Sequence, residues 1–345
     1  MLAIVADDLT GALDTAAPFA LRGLRVAAAV RPEGLEAALQ SGAEVLVVNT
    51  ASRALAAAEA ARQVQAVGTA LAARRPGIVF KKIDSRLKGN VAAETLALSR
   101  ALGFERIVAA PAIPDQQRPT VGGAVTGRGV AAPIPIAPVF GEAAIAVEDA
   151  MTDADMDAIV ARHDWSRTLA AGARGLGAAF ARTMGAVKEA PFAPHAATLF
   201  AVGSRDPITE AQLARLLDRH PGLAVVDAPD GELAACVPSL PALLRCTGDS
   251  HGPDEAVARR FAQGVVREGE RLAPHTLVMS GGDTALAVLD RLGAALVFPE
   301  GEAMPGLPWF RLGFGEELFL RCVVKSGGFG DPGVLDRLLP SEEQE

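Results

Sequence analysis

Nine short apolar runs, each four to six residues long, constrain the fold of this chain more than any other feature. In the first half they are Leu2–Ala6, Val26–Val30, Val45–Asn49, Ile78–Ile83 and Ile107–Ala110. In the second half they are Leu199–Gly203, Leu223–Asp227, Leu277–Ser280 and Leu320–Lys325. Runs that do not alternate with polar residues suit strands buried on both faces of a parallel sheet. Between them lie helix-forming stretches such as Ala54–Arg74, Val91–Leu102, Asp254–Glu270 and Thr284–Leu292. Strands alternating with helices define an α/β fold.

A chain of 345 residues with this pattern is expected to form two domains. Each would hold a mostly parallel sheet flanked by helices, with an active site in the cleft between the two. The segment Lys188–Ala197 reads K-E-A-P-F-A-P-H-A-A, and its two prolines oppose a continuing helix. It divides the chain into a first domain at 1–187, a linker at 188–197 and a second domain at 198–339. Residues 340–345 then form an acidic tail. Pro18 is expected to interrupt the first helix, and Gly122–Pro138 to be an irregular excursion.

Loops at the carboxyl ends of parallel strands are where ligands bind in such sheets. After the first strand come Asp7, Asp8, Thr10, Gly11 and Asp14, three carboxylates and a hydroxyl around a glycine. One carboxylate suffices to cap a helix, so the Asp7-Asp8 pair points beyond capping. The third strand ends in Asn49-Thr50-Ala51-Ser52-Arg53, which alone reads as a Ser52 cap beside an exposed Arg53. The fourth ends in Lys81-Lys82-Ile83-Asp84-Ser85-Arg86-Leu87-Lys88-Gly89-Asn90. Four cations at one strand end, in a chain of net charge −8, indicate an anion site. The rigid polar loop Pro111–Gly123 suits a cleft wall or a crossover equally well.

The second half is different in character. Gly203-Ser204-Arg205-Asp206-Pro207 closes one strand, and Ser280-Gly281-Gly282-Asp283-Thr284 closes another and opens a helix. Lys325-Ser326-Gly327-Gly328-Phe329-Gly330 closes the last. Glycine loops of this kind offer unobstructed backbone N–H groups, which cradle phosphates. No G-x-x-x-x-G-K-[ST] motif is present, so a nucleotide site here is not of the Walker type. A dinucleotide fingerprint is also missing.

The acidic balance argues against nucleic acid or an anionic membrane as main partner and leaves a small anion open. Cys236, Cys246 and Cys322 are widely spaced and read as thiols in a reducing compartment. The amino-terminal apolar run reaches Asp7 too soon for a signal peptide, and no run has the length of a membrane span. A cytoplasmic protein is expected. The five histidines show no ligand spacing, and His251 in a polar glycine-flanked loop is the one to watch. No residue set identifies a metal site.

Together these segments resemble the four-carbon acid sugar kinases, a family that includes threonate and erythronate kinases. The matching stretches are A-D-D-L-T-G-A at 6–12 with Asp14, N-T-A-S-R at 49–53 and K-K-I-D-S-R-L-K-G-N at 81–90. P-A-I-P at 111–114, G-S-R-D-P-I-T at 203–209, S-G-G-D-T-A at 280–285 and K-S-G-G-F-G at 325–330 follow in family order. The resemblance implies an amino-terminal domain for the sugar acid and a carboxyl-terminal domain for ATP. Matching positions for the acid are Asp7, Asp8, Arg53, Lys82, Asp84, Arg86, Lys88 and Asn90. For the nucleotide they are Ser204, Ser280, Gly281, Gly282, Asp283, Thr284, Lys325, Ser326, Gly327, Gly328 and Gly330. Where the family usually carries D-S-T-L-R-G-N, this chain has Arg86 for the hydroxyl residue and Lys88 for the arginine.

The expected reaction is transfer of phosphate from ATP, with Mg²⁺ bridging its phosphates, to a hydroxyl of a small sugar acid. Asp8 or Asp84 would take the hydroxyl proton. A lyase or isomerase acting on a phosphorylated sugar acid, and a noncatalytic sugar-acid sensor, are the competing readings. Assembly state is left open, a homo-oligomer included.

Overall fold

The computed structural model describes residues 1–188, 192–234, 236–248, 254–313 and 319–340. His251 and the tail from 341 onward lie outside the described residues, as do linker residues 189–191. The chain divides into two compact units, Met1–Lys188 and Glu189–Glu345.

In the first unit the strands are β1 (Leu2–Ala6), β2 (Val26–Ala29), β3 (Val45–Asn49), β4 (Ile78–Lys82) and β5 (Arg106–Ala110). Short strands β6 (Thr120–Val121), β7 (Ala124–Val125), β8 (Ile134–Pro135) and β9 (Ala146–Val147) precede β10 (Thr168–Gly172). The sheet runs β2-β3-β1-β4-β10-β5-β9, and these neighbours pair in parallel. Helices α1 (Leu9–Ala20), α2 (Leu35–Gln40), α3 (Ala57–Ala72), α4 (Val91–Leu102), α5 (Asp153–Arg162) and α6 (Arg174–Thr183) connect the strands. Every residue of β1 and β3 is buried, as continuous apolar strands require.

One local expectation is corrected and one is refined. α1 runs through Pro18 to Ala20, because a proline in the last turn removes only one bond of the helical ladder. The Gly122–Pro138 stretch is mostly turns and bends, as expected, but it is anchored by a small antiparallel sheet of β6, β7 and β8. Its strands are two residues long, too short to leave an alternating pattern.

The second unit holds β11 (Thr198–Val202), β12 (Ala224–Pro229), β13 (Ala242–Thr247), β14 (Thr276–Ser280), β15 (Leu296–Val297), β16 (Pro299–Met304), β17 (Leu307–Gly313) and β18 (Phe319–Lys325). Its sheet runs β12-β13-β11-β14-β18-β17-β16, parallel as far as β18 and antiparallel beyond. Helices α7 (Pro207–Arg219), α8 (Asp254–Leu272) and α9 (Gly282–Arg291) complete it.

Both sheets are wound the same way. The chain leaves β1 for β2 and β3 on one side, then crosses to β4 on the other. It leaves β11 for β12 and β13, then crosses to β14 and β18. The carboxyl ends of β1 and β11 are therefore topological switch points, where departing loops open a crevice.

Candidate active site

At the edge of the first sheet, Ala6 is in register with Asn49 and Lys82, and Lys82 with Gly172. The loops after β3, β1, β4 and β10 thus leave from one level. Asp7 and Asp8 follow β1, and Asp8 caps α1 by accepting the Gly11 N–H at 2.9 Å. Its other oxygen accepts from the Thr10 hydroxyl at 2.7 Å and from Arg53 at 2.8 Å. Arg53 also grips Asp7 through two parallel bonds of 2.9 Å and lies 4.0 Å from Asp84. Its exposed reading is therefore overturned: three carboxylates surround it, and Asp8 and Asp7 push its guanidinium further toward the charged form than burial pulls it back. Burial raises the Asp7 carboxyl, but Lys81, Arg53 and Lys82 outweigh it and hold it below the usual carboxylate range.

The cations after β4 separate into distinct roles. Lys81 and Glu94 are each 1% exposed and pair at 2.9 Å, with Ser52 donating to the same carboxylate at 2.8 Å. This pair belongs to the core, and Ser52 caps no helix, since α3 starts only at Ala57. Asn90 spends its amide on the carbonyls of Ser52 and Leu55, at 3.2 and 2.9 Å. It fastens the Arg53 loop and has no amide donor left for a ligand. The Lys88 side chain is exposed, while its backbone N–H reaches Asp84 Oδ1 at 3.3 Å. The Arg86 N–H reaches the same oxygen at 2.8 Å. Asp84 Oδ2 accepts no hydrogen bond among the described residues.

Lys82 is the exceptional member. It is 5% exposed, and its ammonium donates no hydrogen bond among the described residues. A Cβ placed on Gly11 would lie 2.7 Å from its nitrogen and 2.4 Å from Asp8 Oδ1, so only glycine fits beneath it. A buried ammonium without a hydrogen-bond partner is costly to keep unless something anionic or hydroxylated comes to it.

Two arginines escaped the sequence reading. Arg118, 4% exposed, donates to Ser85 Oγ at 2.7 Å and to the Arg128 carbonyl at 2.9 Å. Its Nη2 lies 3.2 Å, and Arg86 Nη1 3.8 Å, from the point where a Gly129 Cβ would sit. Arg86 Nε is buried and has no hydrogen-bond partner among the described residues. Arg174 opens α6 directly after β10 and pairs with Asp115. β10 itself, T-L-A-A-G, has too few large apolar residues to stand out in the sequence, so the residue after it gave no signal.

In the second unit the three glycine-bearing loops meet at one place. Val202, Ser280 and Lys325 share a level on adjacent strands. Gly203 and Ser204 both donate N–H to the Ser280 carbonyl, at 3.0 and 3.1 Å, and Gly281 donates to Lys325 at 3.0 Å. Gly281 has φ of 109° and stands before the first turn of α9, where Asp283 is exposed and Thr284 is buried. A Cβ on Gly327 would lie 2.3 Å from Ser204 Oγ, so a side chain there would wedge the loops apart. Ser326, Gly328 and Gly330 continue the same loop, and the buried Ser280 hydroxyl has no hydrogen-bond partner among the described residues. Such a cradle suits an anion held by backbone N–H groups.

Lys325 departs from expectation. Its ammonium, 0% exposed, donates to Thr209 Oγ1 at 3.0 Å and to the carbonyls of Ser326 and Gly327 at 3.1 Å each. All three donors are spent on shaping the loop, so it is no free phosphate ligand. Burial pulls the ammonium down to about 7 against the opposing pull of Asp206.

No group of three or more histidine, cysteine, aspartate or glutamate side chains fit to hold a metal occurs among the described residues. Mg²⁺ carried on phosphates with one carboxylate and waters needs no such group. Asp206, the N-cap of α7, is one carboxylate on this edge, its Oδ2 being 3.6 Å from a Gly328 Cβ position, and Asp283 in the first turn of α9 is another. Among the described residues no helix is long and apolar enough to cross a membrane.

Fold and site together define a protein of two wound α/β units, one presenting charged side chains and the other a glycine cradle. Residues 2–137 match the model of a sugar-binding N-terminal domain, and residues 245–335 that of a nucleotide-binding C-terminal domain. The D-threonate kinase of Bordetella bronchiseptica is 33% identical over 392 residues, covering 97% of this chain and 96% of that protein. The D-threonate kinase of Salmonella typhimurium is 28% identical, covering 99% and 98%. The 3-oxo-tetronate kinase of Methylobacterium radiotolerans is also 28% identical, covering 98% of each. The chain belongs to the four-carbon acid sugar kinase family. A solved structure from Salmonella typhimurium shares the fold at a TM-score of 0.73 and 18% identity, covering 97% of this chain and 98% of that one. Another from Haemophilus influenzae does so at 0.66 and 20%, with the same coverage.

Proposed function

We propose that this chain transfers the terminal phosphate of ATP to a hydroxyl of a four-carbon sugar acid. One observation carries the reading. Two sheets of the same winding present, at their switch points, the two halves that phosphoryl transfer requires: an acid-and-cation site and a phosphate cradle.

In the first unit, Lys82, Arg86 and Arg118 supply the positive charge that recognises the acid. Asp84 takes the proton of the attacking hydroxyl. Both oxygens of Asp8 are already accepting, whereas Asp84 Oδ2, 4.0 Å from Arg53 Nη1, accepts no hydrogen bond among the described residues. Asp8 thus orients Arg53 and caps α1 while Asp84 acts as base. Asp7 and Arg53 hold this arrangement together.

In the second unit, the first turn of α9 (Gly282–Thr284) and the Ser326–Gly328 backbone receive the phosphates, while Ser204 and Gly281, whose N–H groups go to the Ser280 and Lys325 carbonyls, fix the loops and Lys325 keeps the last one in shape. Asp206 would be the protein carboxylate for a phosphate-borne Mg²⁺, which would supply charge neutralisation there. A cytoplasmic setting, where ATP is available, agrees with the unpaired state of all three cysteines.

An ADP-release assay with Mg-ATP and D-threonate, D-erythronate or 3-oxo-tetronate tests the reading. ADP formed only when one acid is present supports it. ATP binding without acid-dependent ADP across a wider panel of four- and five-carbon acids would overturn it.

A further inference from the structure

The Lys82 ammonium has a neighbour that the proposed reaction leaves unused. Asp14 follows Gly11 by three residues on α1, and that spacing sets both on one helix face. Gly11 on this face lies under the Lys82 nitrogen. Asp14 is 5% exposed, accepts the Thr15 hydroxyl at 2.9 Å through Oδ1, and accepts nothing at Oδ2 among the described residues. The charged groups around it come from three elements. Lys82 lies on β4, Arg174 on α6, and Asp8 at the start of α1 itself. The two cations lower its proton affinity and Asp8 raises it.

We propose that Asp14 is a resident counter-charge of Lys82, and that the carboxylate of the sugar acid takes over this role on binding, so that Asp14 picks up one proton as the acid enters. This rests on reading the first unit as the acid site. Before the acid binds, Asp14 shares with Asp7 the compensation of an ammonium that is held out of water. When the acid's carboxylate arrives beside Lys82, a second negative charge enters the field of Asp14 and the lysine is shared. Burial already pushes the Asp14 carboxyl up to about 6, despite Lys82 and Arg174. A further push carries it through the neutral range. The acid therefore binds more tightly to the form with Asp14 protonated, and affinity falls as pH rises above that midpoint. Asp14 acts through Lys82 and is a positioning residue.

Calorimetric titration of the full chain with D-threonate, D-erythronate and 3-oxo-tetronate, at pH 5.5–8 in two buffers of different ionisation enthalpy, tests this. For the acid that binds, the expected result is net proton uptake near pH 6–7 and a fall in affinity of up to about tenfold per pH unit. Asp14→Asn should bind at pH 7 no more weakly than the parent, with neither uptake nor pH slope. A parent that binds without uptake, or an Asp14→Asn variant that keeps it, would overturn the proposal. If no acid binds at any pH, it is the reading of the site that fails. The Asp14–Lys82 coupling then stands or falls by carbon NMR of the Asp14 carboxyl. Its midpoint should rise in Lys82→Met, and an unchanged midpoint sinks the coupling.

Discussion

At the edge of β1 the switch point is filled with ionised side chains, whereas at the edge of β11 it is filled with glycine and hydroxyls. The first unit brings Asp7, Asp8, Arg53, Asp84 and Lys82 together. The second brings Gly203, Ser204, Gly281 and Gly327 together, and its buried Lys325 lies inside the loop it supports. In the proposed reading, one winding serves two recognition strategies. A small polyhydroxylated acid has several distinct groups, and side chains of opposite sign can read each separately. A phosphate chain has repeated equivalent oxygens, and a row of backbone N–H groups meets them without selectivity. Side-chain changes should therefore act mainly on the first unit's ligand, and changes in backbone space mainly on the second's.

The sharpest test of that contrast is Asp84→Asn. Turnover should fall by about a hundredfold or more while ADP affinity is unchanged, as acid-dependent initial rates and nucleotide titration would show. A loss under tenfold would move the base elsewhere and return Asp8 to consideration.

Lys81→Met addresses a neighbouring cation that is paired with Glu94 in the core. It strands Glu94 at 1% exposure, so unfolding free energy in urea should drop by about 3–5 kcal/mol. A stable variant with a raised KM for the acid would instead make Lys81 part of the site.

The smallest effect concerns Lys325. Its folded midpoint, about 7, lies below the ordinary 10.5, so the folded state releases this proton first as pH rises. The unfolded chain holds more protons between those values, and this group adds stability as pH rises across that window. Nucleotide binding should move the other way. The ammonium gives three hydrogen bonds to the cradle and a positive charge near the phosphates, so ADP affinity should weaken a few-fold from pH 6 to 8. Lys325→Met should bind weakly at both values with no slope. A slope retained in that variant would assign it to another group.

Much of the frame was legible because continuous apolar runs encode strands buried on both faces. β1 and β3 begin and end where those runs do. β10 and β17 were not visible. T-L-A-A-G is dominated by small residues, and the antiparallel β17, L-P-W-F-R-L-G, is buried along its first half and partly exposed along the second. The site was legible as a set of loops but not as a set of partners. Whether a cation is free depends on acids far away in sequence. Arg53 is spent on Asp7, 46 positions away, Lys81 on Glu94, and Lys325 on its own loop. Lys82, next to Lys81, stays uncommitted because alternate residues of β4 face opposite sides of the sheet. Asp14 stood within the matching segment, and the α1 face it shares with Gly11, which lies under Lys82, is what supports its proposed role.

The central claim is that each unit carries one ligand, and crossed binding measurements test it most directly. D-Threonate and ADP would each be titrated into Lys82→Met and into Gly327→Ala. The account predicts that Lys82→Met loses the acid and keeps ADP, while Gly327→Ala loses ADP and keeps the acid. Loss of ADP in Lys82→Met with the acid retained, or of the acid in Gly327→Ala with ADP retained, would contradict it.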